Sequence, residues 1–301
     1  MAGCFTPFNP SFEFGRTTNR EASALRFGIC ASPSSFPPRA GEPTAAALRR
    51  MLETLRAAGA DYIEFPVAAV VPEGSAADFG QLQAAMDGAA LRAEAFNVFI
   101  PKHHPITGPA VNLPSALKYC ATALKRCKAL GGAVVVLGSA GARKIPNGFD
   151  RVRAAAQFIE FCRELDPLAE EAGIDIAVEP LNRKEDNLIL SVEQGAKVVD
   201  AIGRKRIRLL ADLYHISEEK EPVQNVASVG KYLIHTHVAD LGRVAPGFAP
   251  KEAGEEDFIG FFRALKKAGY DRRCSFEGRF DNIETQTKPL LELLRKRWAA
   301  A

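Results

Sequence analysis

Short apolar segments alternate with longer amphipathic ones along the chain after residue 24. The short segments are rich in β-branched and aromatic residues and are mostly apolar on both faces, which is typical of parallel strands covered on both sides. Eight such strands are predicted, over residues 25–31, 61–66, 92–100, 133–139, 175–180, 208–214, 233–239 and 274–280.

The longer segments carry apolar residues at spacings of three and four, a pattern that predicts amphipathic helices. Several of them end at a glycine just before the next strand, as in EAGIDIAV and KAGYDRRCSF. A glycine at this point closes a helix in the left-handed conformation, so each unit makes the same helix-to-strand turn. The predicted helices cover residues 44–58, 113–130, 149–172, 191–202, 255–267 and 283–298.

The repeated strand and helix units predict a single α/β domain, a (β/α)8 TIM barrel over residues 25–301. The alternative is an open doubly wound sheet. A glycine-rich phosphate loop after the first strand would favour that fold, and residues 31–38 (ASPSSFPP) contain no glycine. Residues 1–24 mix Phe, Pro, Asn and charged residues, and we predict a short irregular N-terminal arm there.

Composition excludes several classes of function. The formal net charge is +3 without a basic stripe, so we expect no nucleic-acid partner. No apolar run reaches the roughly 18 residues of a membrane span, and no apolar signal segment begins the chain, so we expect a cytoplasmic protein without membrane contact. Six cysteines without a CxxC pair are interpreted as free thiols. We also expect a homo-oligomer, a dimer or a tetramer.

Charged side chains at the ends of the apolar strands are the main candidates for an active site, because TIM-barrel active sites lie at the C-terminal ends of the strands. The last four predicted strands each contribute one such residue: Glu179, Asp212, His237 and Glu277. Three carboxylates and an imidazole at one end of a barrel repel one another unless a cation lies between them. The pattern predicts one divalent metal site, and four unrelated ion pairs are the less economical alternative.

Other polar residues near strand ends have both a structural and a functional interpretation. Glu64 in the second strand fits either a buried ion-pair network or a substrate contact. His235 lies on the same face as His237, where support of the metal ligands or a structural role is favoured over ligation. His103 and His104 follow the third strand, where loop histidines are usually only solvated, but we retain His104 as a candidate substrate contact.

The strand-end motifs resemble those of the xylose-isomerase-like barrel superfamily, in particular its sugar isomerase/epimerase branch. Ketose 3-epimerases of the D-tagatose and D-psicose type show the nearest pattern. The matching motifs are EPLNRKE (179–185), DLYH (212–215), a histidine followed six residues later by an arginine (His237 and Arg243), and Glu277 in an apolar strand. The first half departs from this pattern, because no Gly/Ala/Trp-rich segment follows the fourth strand and the only tryptophan is Trp298.

The resemblance implies a site with defined roles. It implies four ligands to one divalent ion: Glu179, Asp212, His237 and Glu277. It also implies that Glu185, His215 and Arg243 hold the oxygen atoms of a sugar or sugar-like substrate. The oxygen-rich ligand set favours Mn²⁺, with Co²⁺, Mg²⁺ or Zn²⁺ as alternatives. The two glutamates of the ligand set are the catalytic candidates, which remove and return a proton beside a polarised carbonyl through an enediolate.

Three other functions remain open on the sequence. A lyase or dehydratase acting on an inosose or a 3-keto-glycoside would use the same metal site. An endonuclease-IV-like phosphodiesterase requires three zinc ions and further histidines, including one after the seventh strand. Residues 239–247 (ADLGRVAPG) contain no histidine, which disfavours that function. A catalytically silent barrel would bind no divalent ion.

Overall fold

Eight parallel strands close into a barrel in chain order. The computed structural model describes residues 25–250 and 255–301, so the predicted arm over residues 1–24 lies outside the described residues. Because β1 pairs with β8, the sheet is closed, and the predicted TIM barrel is confirmed over the open sheet. The strands are β1 (Arg26–Cys30), β2 (Tyr62–Pro66), β3 (Ala93–Asn97), β4 (Val134–Leu137), β5 (Asp175–Val178), β6 (Ile207–Asp212), β7 (Leu233–Val238) and β8 (Arg273–Phe276).

Helices follow the strands and cover the outside of the barrel. The sequence pattern predicts six of them, α1, α3, α5, α6, α9 and α10, and misses the other four. The helices are α1 (Thr44–Ala57), α2 (Ala76–Met86), α3 (Leu113–Ala129), α4 (Ala140–Arg143), α5 (Arg151–Ala172), α6 (Val192–Ile202), α7 (Leu213–Glu218), α8 (Asn225–Ser228), α9 (Phe258–Lys267) and α10 (Ile283–Ala300).

Seven of the eight strands end earlier than predicted, and the difference is largest for β3 and β8. β3 was expected to reach residue 100 but ends at Asn97. The next residue, Val98, has a φ of 50°, which takes the backbone out of the extended region. β8 was expected over residues 274–280 and ends at Phe276. The apolar pattern continues through residues 98–100 into the loop after β3, whereas the mostly polar residues 277–279 follow β8.

The helix-to-strand turns have the predicted conformation. Gly173 ends α5 with a φ of 63°, and Gly269, which follows α9, has a φ of 68°. L-residues with a side chain rarely adopt such values, so glycine is the favoured residue at both turns.

The core has two parts, one on each face of the sheet. A large cluster packs the outer faces of the strands against the helices. A small apolar layer fills the barrel interior and consists of Tyr62, Ala95, Val134, Val136, Ala177, Leu210 and Ile234. At the N-terminal end, Glu94 binds Arg26 (Nη2 to Oε1, 2.6 Å) and Arg273 (Nε to Oε2, 2.9 Å). The apolar layer therefore separates this ion-pair group from the C-terminal mouth.

The expectations about cysteines and membrane spans can also be compared with the structure. The five cysteines in the described ranges, Cys30, Cys120, Cys127, Cys162 and Cys274, are free thiols, as expected. Among the described residues, no helix is both long and apolar enough to cross a membrane.

Candidate metal centre

The four predicted ligands meet at the C-terminal mouth of the barrel. Side chains alternate along a strand, so a residue two positions beyond an interior-facing residue also faces inward. Glu179 and Asp212 stand in that relation to Ala177 and Leu210 of the interior layer. His237 is paired with Asp212 in the register of β6 and β7. One donor atom from each of four residues lies within 4.8 Å of the others: Glu179, Asp212, His237 and Glu277.

The distances within this quartet show which atoms face the centre. His237 Nδ1 lies 3.2 Å from Glu179 Oε1 and 3.6 Å from Glu277 Oε2. Asp212 Oδ1 accepts a hydrogen bond from the backbone N–H of Tyr214 (2.9 Å), which caps α7. Asp212 Oδ2 is buried and has no hydrogen-bond partner among the described residues. A buried acceptor without a donor is costly, and a cation would satisfy it.

The electrostatics of the quartet also favour a cation. Burial raises the pKa of Asp212 to about 8, and the nearby charges of Glu179 and Glu277 add to the effect. Burial likewise raises the pKa of Glu179. The site thus disfavours its own negative charge, and a divalent ion at the centre would reverse this effect. Hard oxygen donors with one imidazole suit Mn²⁺ or Mg²⁺ and also accept Co²⁺ or Zn²⁺. The residues fit the predicted metal ion.

Glu64 lies in the barrel interior beneath the quartet and is fully buried. Its Oε1 is 3.0 Å from His237 Nε2, and its Oε2 is 2.8 Å from His235 Nε2. Ser275 Oγ also donates to Glu64 Oε2 (2.6 Å). Both carboxylate oxygens are therefore engaged inside the protein, so the structure places Glu64 in an internal network instead of at the mouth. His235 belongs to the same network.

The Glu64 network also shifts the pKa values of its members. Burial alone would raise the pKa of Glu64, but the charges of His237 and His235 lower it well below its usual range. Burial lowers the pKa of His237, whereas Glu64 and Glu277 outweigh that effect and raise it well above the usual value. With Nε2 bound to Glu64, the Nδ1 atom of His237 is the one presented to the quartet.

Arg243 connects the quartet to the predicted substrate residues. Its Nη2 donates to Glu277 Oε2, and its Nη1 donates to Glu185 Oε1 (3.3 Å). The guanidinium carbon lies 5.1 Å from the ring centroid of Tyr214. Arg243 has a φ of 60°, a strained conformation for a residue with a side chain, and such strain is concentrated at functional sites.

His215 presents a free donor close to the quartet. Its Nδ1 accepts a hydrogen bond from the backbone N–H of Asn182 (3.1 Å). Burial and the charge of Arg243 lower its pKa to about 2, so the ring is neutral and its proton is on Nε2. This Nε2 has no partner among the described residues and lies 3.6 Å from Asp212 Oδ2. A donor in this position can bind a substrate oxygen.

Sequence reasoning missed three residues that shape the site. Asn97 Nδ2 donates to Glu277 Oε1 (2.8 Å), and Asn182 holds His215. Gly138 lies directly beside Glu179. A Cβ atom at position 138 would be 2.2 Å from Glu179 Oε2, so a side chain there would displace the carboxylate. Asn97 ends an apolar strand, so a search for uncharged polar residues at strand ends could have found it. Nothing in the local sequence distinguishes Gly138.

The structure does not bring His104 to the quartet. His104 Nε2 lies 3.2 Å from Glu73 Oε1, and His103 Nε2 lies 2.9 Å from the same atom. Within the described part of the chain, His104 has no hydrogen bond to the quartet, Glu185, His215 or Arg243. It belongs to a separate group on the loops after β2 and β3.

Comparison with known proteins identifies the fold family. A family model described as a xylose isomerase-like TIM barrel matches residues 52–297, which is most of the chain. Among solved structures, D-allulose 3-epimerase from Methylomonas sp. in complex with D-allulose superposes with a TM-score of 0.76 at 21% identity. The superposition covers 91% of this chain and 98% of that protein. At this identity the likeness shows the shared fold.

Curated relatives match over shorter segments. D-psicose 3-epimerase from Ruminiclostridium cellulolyticum is 28% identical over 114 residues, which are 38% of this chain and 37% of that enzyme. 3-Dehydro-D-guloside 4-epimerase from Escherichia coli is 28% identical over 118 residues, which are 39% of this chain and 43% of that enzyme. The matched segments thus span less than half the length of either relative.

Proposed function

The chain belongs to the xylose isomerase-like TIM-barrel family, and we propose that it is a divalent-metal-dependent sugar isomerase/epimerase of the ketose 3-epimerase type. The observation that carries this proposal is the quartet. Three carboxylates and one imidazole share a buried mouth, with one acceptor, Asp212 Oδ2, left without a donor. A free donor, His215 Nε2, lies beside it.

The quartet is proposed to hold one ion, Mn²⁺ foremost, with Co²⁺, Mg²⁺ or Zn²⁺ as alternatives. When bound, such an ion acts as a Lewis acid that polarises the carbonyl group of a substrate. The buried network beneath it holds His237 through Nε2, so that Nδ1 stays directed at the ion site. Support of this kind fixes both the tautomer and the orientation of a ligating histidine.

Glu179 and Glu277 are proposed to move the proton. Their nearest oxygens flank His237 Nδ1 at 3.2 Å and 3.6 Å, and the two side chains come from non-adjacent strand ends. One carboxylate removes a proton from the carbon beside the carbonyl, and the other returns a proton from the opposite face, which inverts that carbon. Arg243 and Asn97 each donate to Glu277, which fixes the direction of its carboxylate.

Substrate oxygens are proposed to bind at the rim of the quartet. The Nε2–H of His215 can donate to a carbonyl or hydroxyl oxygen, since no protein group among the described residues occupies it. Arg243 and Glu185 form a donor and acceptor pair that is only partly buried, so a diol can bind beside it. These three residues together supply both polarities that a polyhydroxy ketone requires.

Two substrate classes are supported by similarity. The segment of similarity to D-psicose 3-epimerase favours a free ketose. The segment of similarity to 3-dehydro-D-guloside 4-epimerase favours a keto-glycoside as the second candidate. Both reactions transfer a proton at a carbon beside a ketone, so one site serves either substrate. A lyase would use the same first step and then expel a leaving group.

A substrate panel in D₂O tests the proposed function. We expect the Mn²⁺-loaded protein to convert at least one of D-psicose, D-tagatose, L-ribulose or a 3-keto-glucoside into its epimer. Deuterium should enter at the inverted carbon, as read by NMR, and chelation of the metal should stop both changes. A product that has lost water would instead establish a lyase.

Two outcomes count against the proposal. Failure to exchange hydrogen in every ketone of the panel would contradict it. Exchange that continues undiminished after complete removal of divalent ions would contradict the role of the metal. Asp212→Asn is the matched variant for the second case, because it removes one ligand charge and keeps the size of the side chain.

A further inference from the structure

The five histidines of the chain divide into two groups. His215, His235 and His237 are buried at or beneath the mouth, with exposures of 3% or less. His103 and His104 lie on the loop after β3, where their side chains are 56% and 14% exposed. These two imidazoles are the only ones that solvent reaches in appreciable amount, and the proposed function uses neither of them.

The imidazoles of His103 and His104 face one carboxylate. His103 Nε2 lies 2.9 Å and 3.0 Å from the two oxygens of Glu73, and His104 Nε2 lies 3.2 Å from Glu73 Oε1. One donor atom from each of the three residues lies within 4.8 Å of the others. A tetrahedral zinc site with bonds of about 2.0–2.1 Å has ligand atoms about 3.3 Å apart. The arrangement is close to that spacing before any ion is bound.

The position of His104 is already fixed. Its ring centroid lies 5.1 Å from that of Tyr119 and 4.7 Å from that of His103. Its second nitrogen, Nδ1, is 3.4 Å from Ser115 Oγ on α3. Ligating histidines usually have such a partner on the nitrogen that does not bind the metal, because the partner orients the ring. Nε2 of His104 is thereby directed toward Glu73.

We propose that Glu73, His103 and His104 form a second divalent-cation site, separate from the quartet. Two imidazole nitrogens and one carboxylate oxygen suit Zn²⁺, Ni²⁺ or Cu²⁺ better than Mn²⁺ or Mg²⁺. Three protein ligands leave a fourth position open to water. Because Glu73 follows β2 and the histidines follow β3, a bound ion links two loops at the C-terminal end of the barrel. This rim site therefore favours nitrogen-binding metals more strongly than the oxygen-rich quartet does.

The alternative is a surface ion pair between Glu73 and a protonated imidazole. Such pairs are common and contribute little stability when they are exposed. A metal site differs from an ion pair in one measurable respect, which is that it binds an ion with a defined stoichiometry through both imidazoles.

The test is a titration of the untagged protein with Zn²⁺, a diamagnetic ion that the quartet also accepts. Equilibrium dialysis measures the number of ions bound, and NMR follows the histidine side chains. We expect two Zn²⁺ per chain, one in the quartet and one additional ion at the rim site. The signals of His103 and His104 should shift together as Zn²⁺ is added. His103→Ala and His104→Ala should each weaken binding of the additional Zn²⁺ by about tenfold or more. Glu73→Gln should also weaken it.

Two variants make the result specific. Glu164→Gln changes an exposed carboxylate on α5 and should leave zinc binding unchanged. Asp212→Asn should impair the quartet and leave the rim site intact, which separates failure of this proposal from failure of the proposed function. The absence of additional zinc in the wild type would overturn the proposal. Additional zinc that persists in the His103→Ala/His104→Ala double variant would also overturn it.

Discussion

The two ring nitrogens of His237 have different partners, and this difference defines the metal centre at the scale of single residues. Nε2 binds Glu64 at 3.0 Å inside the barrel, and Nδ1 faces Glu179 at 3.2 Å in the mouth. An imidazole held in this way cannot turn its ring without losing a buried hydrogen bond. The buried carboxylate of Glu64 therefore fixes the orientation of His237, and we propose that it positions His237 as a metal ligand.

Glu64→Gln tests this positioning role. The substitution keeps the size of the side chain but removes the charge that holds His237 and His235. We expect the affinity for Mn²⁺ to fall by about 10- to 100-fold, a range typical when the partner of a ligating histidine is lost. Isothermal titration of metal-free protein with Mn²⁺ measures the effect.

The control for this prediction is Glu170→Gln. Glu170 is a partly exposed carboxylate at the end of α5 that pairs with Arg206 and Lys205, on the opposite side of the barrel from the mouth. Its substitution should leave Mn²⁺ affinity unchanged. Equal affinities of Glu64→Gln and the wild type would show that Glu64 does not position the ligand.

At this scale the sequence predicts charged residues better than uncharged ones. Glu179, Asp212, His237 and Glu277 interrupt apolar strands with a charge or an imidazole, which is costly unless a partner compensates it. Asn97 carries no charge and therefore gives a weaker signal, although it donates directly to Glu277. The sequence does not decide whether Glu64 belongs to a buried ion-pair network or contacts a substrate, because it does not show how deep in the barrel the residue lies.

At the scale of elements, the ends of neighbouring strands place the ligands. β5 to β8 each contribute one member of the quartet, and the neighbouring strand β4 provides the space for it. Gly138 directly follows β4, and Glu179 Oε2 occupies the volume that a side chain would take there. The next residue, Ser139, has a φ of 44°, so the backbone leaves the extended conformation directly after Gly138, and its side chain accepts no capping hydrogen bond from α4.

Gly138→Ala tests whether this space matters. A Cβ atom 2.2 Å from Glu179 Oε2 must displace the carboxylate. Because Glu179 is a proposed ligand and a proposed proton carrier, we expect at least about a tenfold loss of Mn²⁺ affinity, equivalent to about 1.4 kcal/mol. Isothermal titration measures the affinity, and solvent-hydrogen exchange on the substrate measures the activity.

Gly80→Ala is the matched control for Gly138→Ala. Gly80 lies within α2, and a Cβ atom there would meet no atom of the described residues within 4 Å outside its own helix turn. The substitution should therefore raise stability by up to about 1 kcal/mol and leave metal binding unchanged. If the Gly138→Ala variant binds Mn²⁺ with wild-type affinity, Glu179 does not need the space beside Gly138.

Elements with a strong apolar stripe are predictable, and those without one are not. α9 buries Phe258, Phe261 and Leu265 on one face, and the sequence pattern predicts it with an N-terminus three residues early. α2 fully buries only Ala85, and its apolar residues Phe79, Leu82 and Met86 are only partly buried, so its stripe is short and weak. The end of β3 is set by the backbone conformation of Val98, which the apolar pattern does not show.

At the scale of the whole molecule, the barrel has three layers along its axis, each with a different kind of residue. The ion pairs around Glu94 close the N-terminal end, the apolar layer fills the middle, and the quartet opens at the C-terminal end. The closed barrel was predictable because eight similar units have few other ways to cover both faces of a parallel sheet.

The two halves of the barrel contribute differently to the site. All four quartet residues come from β5 to β8, whereas β2 and β3 supply the supporting residues Glu64 and Asn97. The motifs that carry the family resemblance lie in the second half. The first half lacks the expected Gly/Ala/Trp-rich segment, and for this reason the chemistry is better defined by the sequence than the substrate is.

The most direct test of the central claim is solvent-hydrogen exchange by the Mn²⁺-loaded protein and its two glutamate variants. With a ketone that the wild type labels in D₂O, Glu179→Gln and Glu277→Gln should each reduce the rate of exchange by about 10²- to 10⁴-fold, the range of general acid–base catalysis. Glu170→Gln should exchange at the wild-type rate. Full retention of exchange in both glutamate variants would contradict the assignment of Glu179 and Glu277 as the residues that move the proton.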